Sequence, residues 1–430
     1  MTSNQSAEPQ ALFNVPGDPF ARGDQEVREV APGVLFFPYF GTSTAFLTPE
    51  GVVLFDTGTY QAGARVLAEL RKRTDLPVHT IVYSHGHLDH VPGAAHFVQE
   101  ALAAGRPKPR VIAHRKVVDR LRRYERMASW ISFIGEWQWD RRQAQAAAAR
   151  PARRQEHVYP DTLVDDRLTF TVGGERFDLF HGLGETDDHL WLWNAHRALV
   201  CSGDFIENAA PNVGNPWKVQ RFTVEWAEAL EAIAARRPDI LLPGHGQPAT
   251  YATAVEDLLL TTAAYLRSIH DQVVERMNAG QWLEQILREV EPPPELAAKP
   301  WLQSVYGHPQ FIIHGVWRQY GGWWDGNPAN FFPAQTQAQA EEIVRVAGAD
   351  ALLNRAQQLA ESGDLPLACH LVDWVRRAEP DNAKAWQLWA DLFERRASGE
   401  RNMMARNTFR VAVREAETHL KGPSGEEGVS

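Results

Sequence analysis

The sequence predicts an α/β layered domain followed by an all-α region, and three observations carry that reading. Short apolar β-type runs alternate with helically spaced segments up to about residue 255, the signature of sheets covered by helices. Several of those runs end in histidine or carboxylate residues. Residues 340 to 420 then read as helices only, punctuated by Gly363-Asp364 and Pro380-Asp381-Asn382. The domains read as an extended lead-in over 1–27, an α/β domain over 28–255 with a helical insertion at 115–157, a helical linker with a turn signature over 256–335, and an all-α domain over 336–430.

At 430 residues the chain suggests two or three domains, and 44% apolar with 23% charged residues is a globular balance. Acidic residues outnumber basic ones, 54 to 44, for a net charge of -10. That balance disfavours a nucleic-acid partner. Cys201 and Cys369 give no disulfide framework and fit a reducing compartment. The polar start Met1 to Gln10 lacks the pattern of a signal peptide. No apolar run is long enough to span a membrane. The expectation is a cytoplasmic protein with no membrane partner.

Taken in order, the β-type runs begin with Val34–Phe37, Thr44–Leu47 and Val52–Phe55, with Pro49-Glu50-Gly51 as a hairpin signal. The third run ends in Asp56. A carboxylate there either holds a ligand histidine by its second ring nitrogen or caps the helix predicted over 61–73. Next comes the run Val78–Tyr83, which feeds Ser84-His85-Gly86-His87-Leu88-Asp89-His90. A strand ending in such a loop aims alternate side chains at one point. His85 and His87 converge on one cation, and Asp89 and His90 turn toward a second. The bland alternative is a histidine-rich surface loop. A helix over 93–104 and a strand at 111–113 follow.

Residues 115–157 break the rhythm with Trp130, Phe133, Trp137 and Trp139, then an Ala/Arg/Gln-rich stretch. This is either a lid, whose Trp137 grips an apolar substrate tail, or a helical hairpin packed on the domain or a partner subunit. The β-type runs resume at Leu168–Val172 and Phe177–Phe180, ahead of Glu185 and His189. Leu199–Gly203 then ends in Asp204, and Ile240–Pro243 leads to His245. Metal-competent groups at so many strand ends would cluster at one edge of the layers.

With these sites in view, the sequence resembles the metallo-β-lactamase fold superfamily, whose histidine-loop pattern matches at His85, His87, Asp89 and His90. Where members of the superfamily usually carry Gly-His-Thr, this chain reads Gly184-Glu185-Thr186, a departure shared with the alkylsulfatase branch. The resemblance implies an αββα sandwich in which His85, His87 and Glu185 hold the first metal. Asp89, His90 and His245 would hold the second, with Asp204 bridging and His189 as a competing ligand. Tyr320 to Asn330, containing Asp325-Gly326-Asn327-Pro328, looks like the signature turn of the alkylsulfatase dimerisation domain. The helices beyond it look tetratricopeptide-like, which implies a homodimer. The chain ends before the sterol-carrier-like domain of larger members could begin, which shifts the expectation away from long-chain alkyl sulfates.

The expected enzyme is a dinuclear zinc hydrolase, with Mn2+ or Fe2+ as other candidate metals. It would cleave a sulfate ester of the alkyl sulfate type through metal-activated hydroxide, with Asp89 and Asp204 as catalytic residues. Its small substrate is expected to be anionic. In the alkylsulfatases the segment after the bridging carboxylate borders the metals, and here it offers Asn212, Asn215, Lys218 and Arg221. Those four either bind the sulfate or decorate a solvated loop. The alternative activity is hydrolysis of a lactone, thioester or phosphoester on the same fold. A third reading is a binding protein without catalysis, against which every expected ligand position holds a competent residue.

Overall fold

The structure is a computed structural model that describes residues 26–139 and 157–421. The expected lead-in, up to residue 25, and the Ala/Arg/Gln-rich part of the insertion, 140–156, lie outside the described residues. Two compact units emerge. Described residues within 1–128 and 153–322 form the first, and those within 129–152 and 323–430 form the second.

In the first unit, β1 (Arg28–Ala31), β2 (Val34–Phe37), β3 (Ser43–Thr48) and β4 (Gly51–Phe55) form an antiparallel meander. Helix α1 (Tyr60–Arg71) and helix α2 (Ala94–Ala103) flank β5 (Val78–Val82), which pairs parallel to β4. Two further parallel strands, β6 (Arg110–His114) and β7 (Thr162–Val164), complete a seven-stranded sheet. Helix α3 (Lys116–Arg126) leaves its edge. A second sheet orders β8 (Arg167–Val172), β9 (Glu175–Gly182), β10 (His189–Asn194), β11 (Leu199–Gly203) and, after α5 (Thr223–Ala234), β12 (Ile240–Pro243).

Strand periodicity explains the layering. Along β4, Val53 and Phe55 enter the core between the sheets, while Val52 and Leu54 pack outward under the first helices. On β10, Leu190 and Leu192 face the first sheet, and Trp191 and Trp193 face outward. That outer face is covered by α5, by α6 (Ala252–Asn278), whose Leu258, Leu259, Leu266 and Ile269 are buried, and by α8 (Pro309–Tyr320). A short α7 (Leu283–Glu289) lies between the last two in sequence. Helices, two sheets and helices make the expected αββα sandwich.

The second unit is helical. It contains α4 (Ala128–Trp139) from Ser129 onward, then α9 (Thr336–Ala347), α10 (Ala349–Glu361), α11 (Leu365–Ala378), α12 (Ala383–Gly399) and α13 (Met403–Lys421). The punctuation seen in the sequence caps helices: Asp364 accepts from Leu367 N at 3.1 Å and Asn382 from Ala385 N at 3.1 Å. Its core runs through Leu353, Val372, Trp386 and Leu392. The insertion is thereby divided. Val117 and Leu121 of α3 join the core under the first sheet, whereas α4 beyond Ala128 belongs to the helical unit, where Asn407 donates to the Gln138 carbonyl at 2.8 Å.

Candidate metal centre

Parallel pairing of β4 with β5 brings their ends together, and each strand delivers a loop at the same edge. Thr57 N donates to the His90 carbonyl at 2.8 Å and so stitches the two loops. From the second sheet, β10, β11 and β12 add His189, Asp204 and His245 at or just beyond their ends. Gly244 is a requirement of this crowding. A Cβ there would stand 2.0 Å from Asp204 Oδ1. Gly86, between the two loop histidines, is equally constrained, since a Cβ would meet Arg120 Cδ at 2.8 Å.

The buried or half-buried donors fall into two clusters, His85, His87, Glu185 and Asp204 in one and Asp89, His90 and His245 in the other. Within the first, Glu185 Oε2 lies 2.9 Å from His87 Nδ1 and 3.6 Å from His85 Nε2, and Asp204 Oδ2 lies 3.5 Å from His85 Nε2. Within the second, His245 Nε2 lies 3.3 Å from Asp89 Oδ2, and His90 Nε2 lies 3.7 Å from it. Asp204 also reaches this cluster, at 3.2 Å from His90 Nε2 and 3.6 Å from His245 Nε2. It is the carboxylate shared by both.

A divalent cation fits this donor set on two grounds. Ligands about 2.1 Å from a common ion in tetrahedral array stand about 3.4 Å from one another, which is the spacing seen. His90 Nε2, Glu185 Oε2 and Asp204 Oδ1 are buried without a hydrogen-bond partner, and such atoms in a native interior call for one. Charge agrees. Burial would raise Asp204, yet His90, His245 and His85 beside it hold it well below the usual carboxylate range. Burial would lower His245 as well, but Asp204 and Asp89 push it up to about 10. Protons on His90 and His245 stand where a cation's charge belongs once they ligate as neutral imidazoles.

Around the clusters, Asp56 accepts from Ser84 N at 2.7 Å and Ser84 Oγ at 2.6 Å, and its Oδ2 lies 3.0 Å from His90 Nδ1. The helix after it is capped instead by Thr59, which accepts from Ala62 N at 3.1 Å. His189 is buried beside the site but outside both clusters. Its ring stacks on Phe205 at 4.1 Å, with both nitrogens lacking hydrogen bonds. The segment after Asp204 is not a solvated loop. Asn212, Asn215 and Arg221 are buried, Lys218 is half-buried, and burial with the neighbouring Arg221 pulls Lys218 down to about 8. Asn212 Nδ2 donates to Glu185 Oε1 at 3.1 Å, and Arg221 is ion-paired to the same oxygen. Trp137 lies on α4 in the helical unit, its ring 6.5 Å from that of Phe133.

Three features were not anticipated from the sequence. Arg120 is buried and donates to Asp188 and Asp187, both at 2.6 Å, while Gly86 N donates to Asp188 at 3.2 Å. Glu207 is buried, and burial followed by the charges of Glu185 and Asp204 raises it well above the usual carboxylate range. Tyr306 is buried as well and raised by the same two influences, burial and then Glu185. The only hints in the sequence were the Asp187-Asp188 doublet and an arginine at helical spacing in the insertion.

Residues 37–245 match the metallo-beta-lactamase superfamily, and residues 283–419 match alkyl sulfatase dimerisation. A linear primary-alkylsulfatase from Pseudomonas sp. (strain ATCC 19151) is 28% identical over 390 residues, 87% of this chain and 74% of that protein. An (R)-specific secondary-alkylsulfatase from Pseudomonas sp. is 27% identical over 394 residues, covering 85% of this chain and 58% of that protein. The solved structure of the stereoselective inverting sec-alkylsulfatase Pisa1 from Pseudomonas sp. shares the fold, with a TM-score of 0.81 at 24% identity, over 93% of this chain and 66% of that one.

Proposed function

We propose, for a chain that carries a metallo-beta-lactamase superfamily domain followed by an alkyl sulfatase dimerisation domain, that it is a dinuclear zinc hydrolase of alkyl sulfate esters acting as a homodimer. The observation that carries the reading is Glu185, standing where the superfamily usually places a histidine and 2.9 Å from His87 Nδ1 in one cluster with His85 and Asp204. The relatives named as alkylsulfatases support the same substrate class.

In this reading His85, His87 and Glu185 would hold one cation and Asp89, His90 and His245 the other, with Asp204 within reach of both clusters. When bound, the pair of cations supplies an acidified water and neutralises charge that develops on the ester. The chain's own residues do the rest. Asp204 ties the two clusters together, its Oδ2 lying 3.5 Å from His85 Nε2 and 3.6 Å from His245 Nε2 and its Oδ1 3.2 Å from His90 Nε2. Asp56 holds His90 by the nitrogen that faces away from the centre. Lys218, half-buried, and Asn215, whose buried Nδ2 has no hydrogen-bond partner, are the donors available to the anionic group of the substrate.

The test is sulfate release from short and medium primary alkyl sulfates by zinc-loaded protein, with Asp89→Ala as control. The expected result is turnover that falls at least about 100-fold in Asp89→Ala, together with loss of one zinc per chain and an unchanged circular dichroism spectrum. Two zinc ions bound and no sulfate released from any chain length would overturn the sulfate assignment. A panel of lactone, thioester and phosphoester substrates then identifies the bond.

A further inference from the structure

We infer that Arg221 is a positioning residue of the metal centre: it selects which oxygen of Glu185 faces the cation, and it does not receive the substrate's anion. The inference rests on the metal-centre reading above and deepens it. Both residues are buried, Arg221 to 3% exposure and Glu185 to 5%. Arg221 Nη1 donates to Glu185 Oε1 and, at 2.6 Å, to the Asn212 carbonyl. Asn212 Nδ2 adds a second donor to that same oxygen at 3.1 Å. Glu185 Oε1 is thus saturated from one side, while Oε2 has no hydrogen-bond partner and faces His87 and His85.

A carboxylate ligand is otherwise ambiguous. It can bind through either oxygen or both, and a rotation of its terminal bond exchanges them. Two donors on one oxygen, one of them charged, remove that freedom, because charge-assisted hydrogen bonds are short and strong. The backbone reinforces the choice. Phe222 N donates to the Gly184 carbonyl at 3.0 Å, so the residues after Arg221 and before Glu185 are tied directly. On the far side of the same turn Arg120 holds Asp187 and Asp188. Two buried arginines therefore clamp the Glu185 turn from either end.

The same geometry argues against an anion at Arg221. Moving its guanidinium to meet a sulfate would leave the Glu185 carboxylate buried without its cationic partner, which is far costlier than the new contact is favourable. It would also release the ligand whose position the chemistry needs. Arg221 in addition offsets the negative charge that a glutamate brings in place of a neutral histidine. A histidine at this position would need no such partner, and in this chain substitution and partner occur together.

The experiment is zinc binding to the full chain by equilibrium dialysis with chelator competition, comparing wild type, Arg221→Met and Arg221→Lys. In the expected result wild type binds two zinc ions, and Arg221→Met keeps one site unchanged while the other weakens about 10- to 100-fold. Arg221→Lys restores part of the loss, since lysine keeps the charge without the planar fork. With alkyl sulfate as substrate, kcat falls in both variants more than KM rises. Two zinc sites of wild-type affinity in Arg221→Met, with the defect confined to KM, would overturn the inference and return Arg221 to the substrate. Should Arg221→Met not fold, Arg221→Lys decides alone on the same two readouts. A wild-type chain that binds no zinc removes the metal-centre reading and this inference with it.

Discussion

Asp56 sits at φ 58°, a left-handed conformation that an aspartate adopts at a cost. The conformation turns its carboxylate back over the end of β5, where it takes both donors of Ser84 and meets His90. A residue in that strained position is held for its side chain. Replacing it with alanine is expected to weaken zinc at the Asp89, His90 and His245 site about 10- to 100-fold, read by dialysis, with the other site unchanged. Equal loss at both sites would mean that Asp56 supports the fold of the edge rather than one ligand. At this scale the candidate donors were legible and their supports were not. Each stands at or shortly after the end of a short apolar run, so chain order alone exposes it. Asp56 had two readings until Thr59 proved to be the helix cap. Arg221 looked like an anion site because nothing in the sequence between the two residues, 36 positions apart, announces a partner at Glu185.

Among the elements, the strands one place in from a sheet edge, β6 and β9, carry a second histidine pair. His114 on β6 and His181 on β9 stack at 4.0 Å with rings 6° from parallel. Burial, then the neighbouring His181, drops His114 to about 4, with Lys116 acting in the same direction and Asp188 and Asp187 opposing. Between pH 6.5 and 4 the unfolded chain therefore binds a proton at His114 that the folded chain refuses. Stability rises with pH across that window and is lost as pH falls through it, by an amount on the order of 2 kcal/mol. His114→Phe keeps the stacking and removes the proton, so its melting temperature should fall less than that of wild type on acidification from pH 6.5 to 4. Parallel slopes for the two proteins would exclude His114 as a source of acid sensitivity. Element types were legible wherever apolar periodicity was strong, as along β4 and the capped helices α11 and α12. Periodicity does not say what an element packs against. The insertion is the example: α3 follows the first sheet, while α4 joins the helical unit, and nothing in their spacing distinguishes them.

For the whole molecule, the match of residues 283–419 to alkyl sulfatase dimerisation meets a feature of the helical unit itself. Trp323 is 80% exposed and Phe332 is 90% exposed, either side of a turn that is rigid rather than loose. Asn327 N donates to Asp325 Oδ1 at 3.0 Å, Asn330 Nδ2 to Asp325 Oδ2 at 2.6 Å, and Trp324 Nε1 to the Asn327 carbonyl at 3.1 Å. The sequence marks this turn by Asp325-Gly326-Asn327-Pro328, but the aromatics it presents become visible as exposed only in the fold. A preorganised turn that holds large apolar rings in water is a poor solution for a monomer and a good one for an interface, since each ring buried there contributes about 1.5–3 kcal/mol. Light scattering at micromolar concentration should therefore give twice the chain mass for wild type. The double substitution Trp323→Ser with Phe332→Ser should shift the equilibrium toward monomer, with the zinc content of the α/β unit retained. A wild-type monomer at that concentration would sink the homodimer. A double variant that stays dimeric would instead move the interface to other faces of the helical unit.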